Sequence, residues 1–271
     1  MSNFLKRFYY AIVRFLLRAR KENNLKNLYI KQKYKKSFIA LKDTHKGKRC
    51  FIIGNGPSLT AGDLSLLKNE YTFAANRIYY MFDKTTWRPT FYCAQDQVVI
   101  DDIIQEFPKV LKETKKMFLI SDCYDNVDAS LKSNKDVLFF CAKYVAAHKE
   151  RIYSSEIDKY ISGGGTITYT AIQIATYMGF DEIYLIGVDH NYSMPSLNSD
   201  KRINSTDVHN SYFEGMPSNI KVTAPNTDNS TLSFIAARDY CNKHGIKIFN
   251  ATRGGMLEVY PRIKLEDILN G

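Results

Sequence analysis

Short apolar runs recur along the chain from residue 49 onward, and segments with helical spacing separate them. Most of these runs lack polar alternation, which is typical of strands that helices cover on both faces. Segments such as Ser58–Lys68 and Thr168–Met178 have the spacing of helices. The alternation predicts an α/β fold with a doubly wound, mostly parallel sheet. The predicted strands are Cys50–Ile53, Tyr71–Ala75, Phe91–Ala94, Met117–Ile120, Val137–Cys141, Ile183–Ile186 and Ile246–Phe249.

The N-terminal segment has a different pattern and is predicted to form a basic arm, residues 1–48, ahead of one α/β domain at residues 49–271. Apolar side chains between Phe4 and Ala19 recur at helical spacing, with basic residues on another face. Residues 1–49 hold 15 Lys and Arg against two acidic residues, whereas the remaining 222 residues hold 23 basic and 26 acidic residues. This mildly acidic body argues against a nucleic-acid groove.

The basic amphipathic helix has two interpretations. Attachment to an anionic membrane surface through residues 4–36 fits the excess positive charge, because each Lys or Arg near such a surface contributes roughly 1 kcal/mol. The alternative is a helix that packs its apolar stripe on the body of the protein or on a second subunit, so a homo-oligomer stays open.

The five cysteines form no C-x-x-C pair, and three lie in or beside apolar runs. They are typical of reduced, buried thiols in a cytoplasmic protein, and a zinc site is not expected. No stretch reaches the roughly 18 uninterrupted apolar residues of a membrane span. We therefore expect a cytoplasmic protein, peripheral at the inner face of the membrane.

The segment 191–229 is polar, contains three prolines and lacks a convincing period. A loop of this length inside a compact domain is typically a lid or a binding loop, although a disordered insertion is the alternative. Tyr212 and Phe213 favour a lid that closes on a ligand. His209 lies in the same loop and is the predicted general base, because a histidine that titrates near neutrality suits the deprotonation of an acceptor hydroxyl.

A glycine-rich loop follows the first predicted strand and contains Gly54, Asn55, Gly56, Pro57 and Ser58. Its glycines permit a tight turn and a close approach of a ligand to the main chain. Ser58 is the predicted N-cap of the next helix, and a helix N-terminus suits a phosphate. The loop is neither a G-x-G-x-x-G fingerprint nor a P-loop with its lysine. It predicts a phosphate or nucleotide site, with a tight turn of no chemical role as the alternative.

A second glycine cluster precedes the helix that begins near Thr168. It comprises Gly163, Gly164 and Gly165, followed by Thr166. A second helix N-terminus on the same cleft would hold another part of the ligand, whereas the alternative is a flexible hinge.

Polar residues follow several of the predicted strands. Since the carboxyl ends of parallel strands meet at one edge of a sheet, these residues predict one convergent site. A strand ends at Gly187, and Asp189 beyond it is placed to bind a ribose hydroxyl, a metal or a reacting group. The other members are His190, Asn191, Asn76, Gln95, Asp96 and Asn250.

The chain resembles a known bacterial family on these motifs. The loop at Gly54–Leu59, Ala75-Asn76-Arg77, the turn at Gly163–Thr166 and the segment Tyr184–Asp189 occur in the same order in the 6-hydroxymethylpterin diphosphokinase MptE-like domain family. The same order resembles the bacterial lipooligosaccharide sialyltransferases, which use CMP-sialic acid in a Rossmann-like fold without a metal. The resemblance covers roughly residues 49–269 and also includes the closing segment at Asn250–Val259.

The resemblance implies roles for individual residues. Residues Asn55 to Ser58 would hold the phosphate and sugar of the donor, Asn76 would contact the nucleotide or donor, and Gly187 and Asp189 would line the nucleotide pocket. The sialyltransferases carry a tyrosine where Asn191 stands here and a catalytic histidine where Thr223 stands here, so His209 would replace that base.

Three functions follow from the sequence. The first is a sialyltransferase-like glycosyltransferase that moves a sugar from a nucleotide-activated donor, CMP-linked by resemblance, to a bacterial surface-glycan acceptor, either a glycan or a glycolipid. It requires no cofactor, because the nucleotide sugar is a substrate. The second is a diphosphokinase of the 6-hydroxymethylpterin type, which would need Mg²⁺ with ATP, and for which only Asp96 and Asp189 are candidate carboxylates. The third is a non-catalytic nucleotide-binding protein of a polysaccharide assembly complex.

Overall fold

A parallel sheet of seven strands forms the centre of the described structure. The computed structural model describes residues 3–144, 151–192, 211–217, 220–223 and 225–270, with side chains from residue 22 onward. The strands of the sheet are β1 (Arg49–Ile53), β2 (Tyr71–Ala75), β3 (Phe91–Ala94), β4 (Lys116–Ile120), β5 (Val137–Phe140), β8 (Glu182–Ile186) and β9 (Lys247–Asn250). Their spatial order is β5-β4-β3-β2-β1-β8-β9. The predicted doubly wound α/β fold is confirmed.

The helices of the described residues connect and flank these strands. They are α1 (Asn3–Leu41), α2 (Ala61–Leu66), α3 (Gln97–Ile103), α4 (Phe107–Lys112), α5 (Ala129–Ser133), α6 (Ile167–Tyr177), α7 (Thr227–Lys243) and α8 (Leu265–Asn270). Short 3₁₀ turns at Asn76–Met81, Ile104–Glu106 and Ser121–Cys123 follow or join them. Because α7 begins at Thr227, the end of the predicted 191–229 loop is a helix.

The strands of the sheet are buried, which explains why apolar runs in the sequence predict them. Every residue of β3, for example, has an exposed fraction of 3% or less. A small second sheet was not predicted; it pairs β6 (Ala142–Tyr144) with β7 (Ile161–Gly163) in parallel. Two of the three residues of β6 are exposed, so its sequence lacks the apolar run that marks the other strands.

The N-terminal helix α1 is far longer than the predicted stripe at Phe4–Ala19, whose side chains lie outside the described ones. Its second half packs on the sheet near β5 through Ile30, Tyr34, Phe38 and Leu41, all of which are buried. The ring centroids of Tyr34 and Phe139 lie 5.6 Å apart. This part of the arm therefore belongs to the core of the protein.

Polar contacts fasten the same half of α1. Lys26 Nζ lies 3.2 Å from Asp125 Oδ2, and Lys33 Nζ donates to Tyr124 Oη at 2.9 Å. The side chains of Lys35 and Lys36 are exposed. Some of the excess positive charge of the arm is thus used within the protein, and some faces solvent.

Candidate functional site

A cavity of about 200 Å³ opens where the carboxyl ends of β1 and β8 lie side by side. The chain runs from β1 outward to β5 on one side and returns through β8 and β9 on the other, so this is the point at which the strand order reverses. Ligands of open α/β sheets bind at such a switch point. The cavity is therefore the candidate site of this fold.

Most of the predicted site residues line this cavity. They come from the ends of four strands, from the start of α6 and from the segment before α7. The predicted residues on its surface are Gly54, Asn55, Gly56, Asn76, Gln95, Asp96, Gly165, Thr166, Gly187, Asp189, His190, Asn191 and Tyr212. The structure thus places polar residues that follow separate strands around one cavity.

The glycine-rich loop lies beside the cavity, but the amides of both its glycines are occupied. Gly54 N donates to Ile186 O at 2.8 Å, and Gly56 N donates to Gly187 O at 2.9 Å. These two amides are therefore not free for a phosphate, contrary to the sequence prediction. The amide of Asn55 has no acceptor among the described residues.

The predicted N-cap is also wrong. Helix α2 begins at Ala61, and its cap is Thr60, whose side chain accepts from Asp63 N at 3.2 Å while Asp63 Oδ2 accepts from Thr60 N at 2.9 Å. This reciprocal capping box satisfies the helix N-terminus internally. Arg253 adds an ion pair to Asp63. Pro57 is exposed, and neither Pro57 nor Ser58 lines the cavity.

Asp189 lines the cavity and contacts the glycine-rich loop. Its Oδ2 accepts from Ser58 Oγ at 2.8 Å, and its side chain has an exposed fraction of 9%. Burial raises the pKa of Asp189, although the bonds from Ser58 oppose this shift. A Cβ at Gly56 would lie 1.9 Å from Asp189 Oδ2, so only glycine leaves room for this carboxylate.

The N-terminus of α6 faces the same cavity and is less completely satisfied. Gly165, Thr166, Ile167 and Thr168 line the cavity. The Thr166 side chain caps the helix by accepting from Thr168 N at 3.3 Å. No described residue accepts a hydrogen bond from the amides of Thr166 or Ile167. This helix end therefore presents free N–H groups and the positive end of the helix dipole.

Three side chains of the cavity have a buried polar atom without a partner among the described residues. They are Asn55 Oδ1, Asn76 Oδ1 and Ser211 Oγ. Asn55 Nδ2 donates to Ala75 O at 3.0 Å, which leaves the amide oxygen as an acceptor. Asn76 holds a left-handed backbone, with φ of 52°. Unpaired buried polar atoms are rare in folded proteins, and these three lie where a ligand in the cavity would supply a partner.

The remaining polar residues of the cavity bond mainly within the protein. Asp96 Oδ1 accepts from Val98 N at 2.9 Å and caps α3, and Gln95 accepts from Thr170 Oγ1. Behind them, Arg77 has an exposed fraction of 2%, lies 2.8 Å from Asp102 Oδ2 and donates to Lys221 O at 2.7 Å. Arg77 thereby holds the segment at residues 220–223 against the body.

Several predicted site residues lie outside the cavity. Gly163 packs under the ring of Tyr144, and Gly164 packs against Tyr169 and Ser233. Asn250 Nδ2 donates to Leu257 O at 2.8 Å and its Oδ1 accepts from Thr252 N at 3.0 Å, so its amide shapes the C-terminal loop. His209 lies outside the described residues.

The sequence did not single out several residues that line the cavity. Val99, Thr168, Ser211, Val222, Pro225 and Ser230 have no motif around them, and they join the site through tertiary packing. The segment that contains Ser211 and Val222 belongs to the predicted lid or binding loop, and Phe213, Met216, Ile220 and Val222 within it are buried. Phe213 N donates to Asn55 O at 3.1 Å. Ile220 and Val222 thus add to the apolar signal that Phe213 gives for a segment that packs over the site.

Among the residues that the structure describes, no group of three or more His, Cys, Asp or Glu side chains is arranged to hold a metal ion. The five cysteines are buried and unpaired, as predicted. In the same part of the chain, no helix combines the length and the apolar character that crossing a membrane requires.

Comparison with known proteins identifies the family. The model of the family described as 6-hydroxymethylpterin diphosphokinase MptE-like matches residues 22–194. The chain belongs to this family. The match covers α1 from Glu22 onward, the glycine-rich loop and Asp189, so the predicted membership of the family is confirmed. It begins before residue 49, where the predicted resemblance began, and ends before the closing segment at Asn250–Val259.

Two solved structures show similarity to this MptE-like chain. The first is the MAf glycosyltransferase from Magnetospirillum magneticum AMB-1, with 16% sequence identity and a TM-score of 0.47 over 88% of this chain and 39% of that chain. The second is an aureusimine biosynthetic cluster reductase domain, with 12% identity and a TM-score of 0.24 over 83% of this chain and 55% of that chain. This chain thus spans about two fifths of the length of the first. The comparison with curated proteins yields no match.

Proposed function

We propose that this MptE-like protein is a glycosyltransferase whose donor is a nucleotide-activated sugar, and that the donor is CMP-linked. The observation that carries the proposal is the cavity at the β1/β8 switch point, where the free N-terminus of α6 faces unpartnered side-chain acceptors. A phosphate suits the helix N-terminus. The hydroxyls of ribose and sugar suit Asn55 Oδ1 and Asn76 Oδ1, because hydroxyls donate where these oxygens accept.

The charge of the cavity favours one phosphate over two. No Lys or Arg is among the described residues that line it, whereas Asp96 and Asp189 are. Enzymes that act on a diphosphate group typically supply a metal ion or basic side chains to balance its charge. A CMP-sugar has a single phosphodiester in this position, and helix N–H groups with neutral hydroxyls suffice for one charge. The departing phosphate would gain from the same N–H groups.

The proposed acceptor is a hydroxyl of a bacterial surface glycan or glycolipid, reached at the inner face of the membrane. The exposed lysines Lys35 and Lys36 of α1, together with the basic residues earlier in the arm, support attachment to an anionic surface. Exposed apolar side chains on the same helix, Leu25, Leu28 and Tyr29, would add to it.

Ser211 allows a sharp test of the donor site. Its hydroxyl is buried and without a partner among the described residues, so Ser211→Ala removes an unsatisfied polar atom and should leave the free protein as stable or slightly more stable. If the sugar donor hydrogen-bonds this hydroxyl, the variant should bind a CMP-sugar about 5- to 10-fold more weakly, as the loss of one hydrogen bond predicts. Ser65→Ala, on the exposed surface of α2, is the matched control and should not alter binding.

The assay combines a thermal shift with transfer, using CMP-, UDP- and GDP-sugars. A donor at 100 times its Kd should stabilise the wild type by about 2.7 kcal/mol. Preference for CMP-sugars supports the proposal. A wild-type protein that binds no nucleotide sugar refutes it, and tight binding without hydrolysis or transfer identifies a non-catalytic nucleotide-binding protein instead.

A diphosphokinase that moves a pyrophosphate group from ATP to a pterin-like alcohol is the second candidate, since the family description names that activity. The two carboxylates of the cavity argue against it. Asp96 caps α3 and Asp189 bonds Ser58, so neither is displayed as a free metal ligand. A strict Mg²⁺ requirement with ATP and a pterin alcohol would establish this activity and overturn the glycosyltransferase.

A further inference from the structure

His190 combines three features of a positioned side chain. It lines the cavity with an exposed fraction of 8%. Its ring stands edge-to-face against Phe234, with centroids 5.6 Å apart. Its backbone is left-handed, with φ of 53°, which is uncommon outside glycine. Such a conformation persists only where the surroundings impose it, and it often accompanies function.

A hydrogen-bond chain favours one tautomer of the His190 ring. Thr231 Oγ1 donates to Thr227 O, the carbonyl one helical turn earlier, at 2.9 Å. A hydroxyl has one hydrogen, so with this donation the Thr231 oxygen accepts from His190 Nε2, which lies 2.8 Å away. In that tautomer Nε2 holds the hydrogen, and Nδ1 of the neutral ring keeps its lone pair. No described residue hydrogen-bonds Nδ1.

A segment of the same chain near Gly255 and Met256 holds the backbone beside the His190 ring in place. Met256 N donates to Asp189 O at 2.7 Å, and Gly255 packs against the backbone of Asp189 so closely that a Cβ there would lie 2.6 Å from its carbonyl oxygen. The C-terminal loop thus fixes the backbone immediately before His190. The backbone, the ring face and one ring nitrogen of His190 are all constrained, while the basic nitrogen has no protein partner in the described part of the chain.

We propose that His190 is the general base of the transfer reaction, and that Thr231 is the positioning residue that presents its Nδ1 lone pair to the acceptor. The inference rests on the proposed glycosyltransferase function and assigns the base to a residue other than His209. Nδ1 takes the proton of the acceptor hydroxyl as that oxygen bonds the anomeric carbon of the sugar. The bond from the anomeric carbon to the phosphate oxygen breaks, and its electron pair leaves with the nucleotide. The imidazolium then returns the proton to solvent.

The first arm of the test measures transfer and donor binding separately. His190→Ala should lower kcat about 10²- to 10⁴-fold, the usual contribution of a general base, with little change in the Kd of the donor. Added imidazole should restore part of kcat in this variant. His244→Ala is the matched control, since His244 lies exposed near the end of α7, and it should transfer as the wild type does.

The second arm tests the positioning role of Thr231. Thr231→Val removes the acceptor of the Nε2 hydrogen and should lower kcat without changing the donor Kd, and Thr231→Ser should restore it. Nitrogen-15 NMR of the histidine ring provides a readout independent of activity. The wild type should show the Nε2–H tautomer, and Thr231→Val should show a mixture.

The outcomes separate the two proposals. A wild type that binds no nucleotide sugar refutes the glycosyltransferase itself. A wild type that transfers, with His190→Ala transferring equally well, refutes only the base. An Nδ1–H tautomer in the free protein also overturns the inference, as does loss of transfer in His209→Ala alone.

Discussion

Replacing Gly56 with alanine tests the packing of the carboxylate against the glycine-rich loop. The new methyl group would lie 1.9 Å from Asp189 Oδ2 and 2.8 Å from Gly187 O. The backbone oxygen cannot move without distorting the junction of β1 and β8, whereas the carboxylate can rotate. We therefore expect Asp189 to leave Ser58, whose hydroxyl it now accepts at 2.8 Å.

The expected loss follows from the bonds that this rotation breaks. A hydrogen bond to a charged group contributes about 1.5–3 kcal/mol, so the free energy of unfolding should fall by about that amount. Gly62→Ala is the control within α2, where the nearest atom to the added Cβ lies 3.5 Å away. It should instead stabilise the helix by about 0.5–1 kcal/mol. Urea unfolding followed by the fluorescence of Trp87, which is fully buried, measures both.

The double variant Gly56→Ala with Asp189→Ala sharpens the test. If the cost arises from the methyl group striking the carboxylate, alanine at position 56 should cost markedly less once Asp189 is shortened, because residues in contact couple energetically. Equal costs in both backgrounds would refute this reasoning, as would a Gly56→Ala protein as stable as the wild type.

Two further variants probe the segment over the site and the arm. Arg77→Met should lower the free energy of unfolding by about 1.5–3 kcal/mol, because it removes the hydrogen bonds from the buried guanidinium to the half-buried Asp102 and to Lys221 O, and a loss under about 1 kcal/mol in urea unfolding would contradict this. Replacing Lys35 and Lys36 with glutamine should weaken binding to anionic vesicles by about 30-fold, since each charge contributes roughly 1 kcal/mol. Vesicle sedimentation measures this effect, and it should vanish in high salt. The same replacements at Lys243 and Lys264 should have little effect, and equal losses from both pairs would argue against attachment through the arm.

The strands of the large sheet could be predicted to within a residue at each end. A strand buried on both faces must be apolar throughout, and its length is limited by the turns around it, so sequence and structure carry the same information there. The β6–β7 pair escaped prediction for the converse reason. Lys143 and Tyr144 are exposed, and the pairing depends on how the chain returns after Phe140.

The sequence contains a second apolar stripe in α1, beyond the one predicted at Phe4–Ala19. Ile30, Tyr34, Phe38 and Leu41 follow one another at intervals of four, four and three residues, which is the spacing of one helix face. Because many lysines lie between these residues, the charge of the segment predicts a basic arm and gives no sign of a buried face. Charge on one face of a helix says nothing about burial of the other, and long lysine side chains can reach partners such as Asp125 from the rim.

The glycine-rich loop shows why a motif alone could not locate an anion-binding site. Two physical causes require glycine after a strand: close approach of a ligand to the backbone and close approach of the protein itself. A Cβ at Gly54 would lie 2.2 Å from Gly187 O, and one at Gly56 would meet Asp189. Protein packing therefore accounts for both glycines, and the sequence could not separate this cause from anion binding. Since the amides of Thr166 and Ile167 have no acceptor in the described chain, the start of α6 has free donors for an anion, whereas the amides of Gly54 and Gly56 already bond the carbonyls of Ile186 and Gly187.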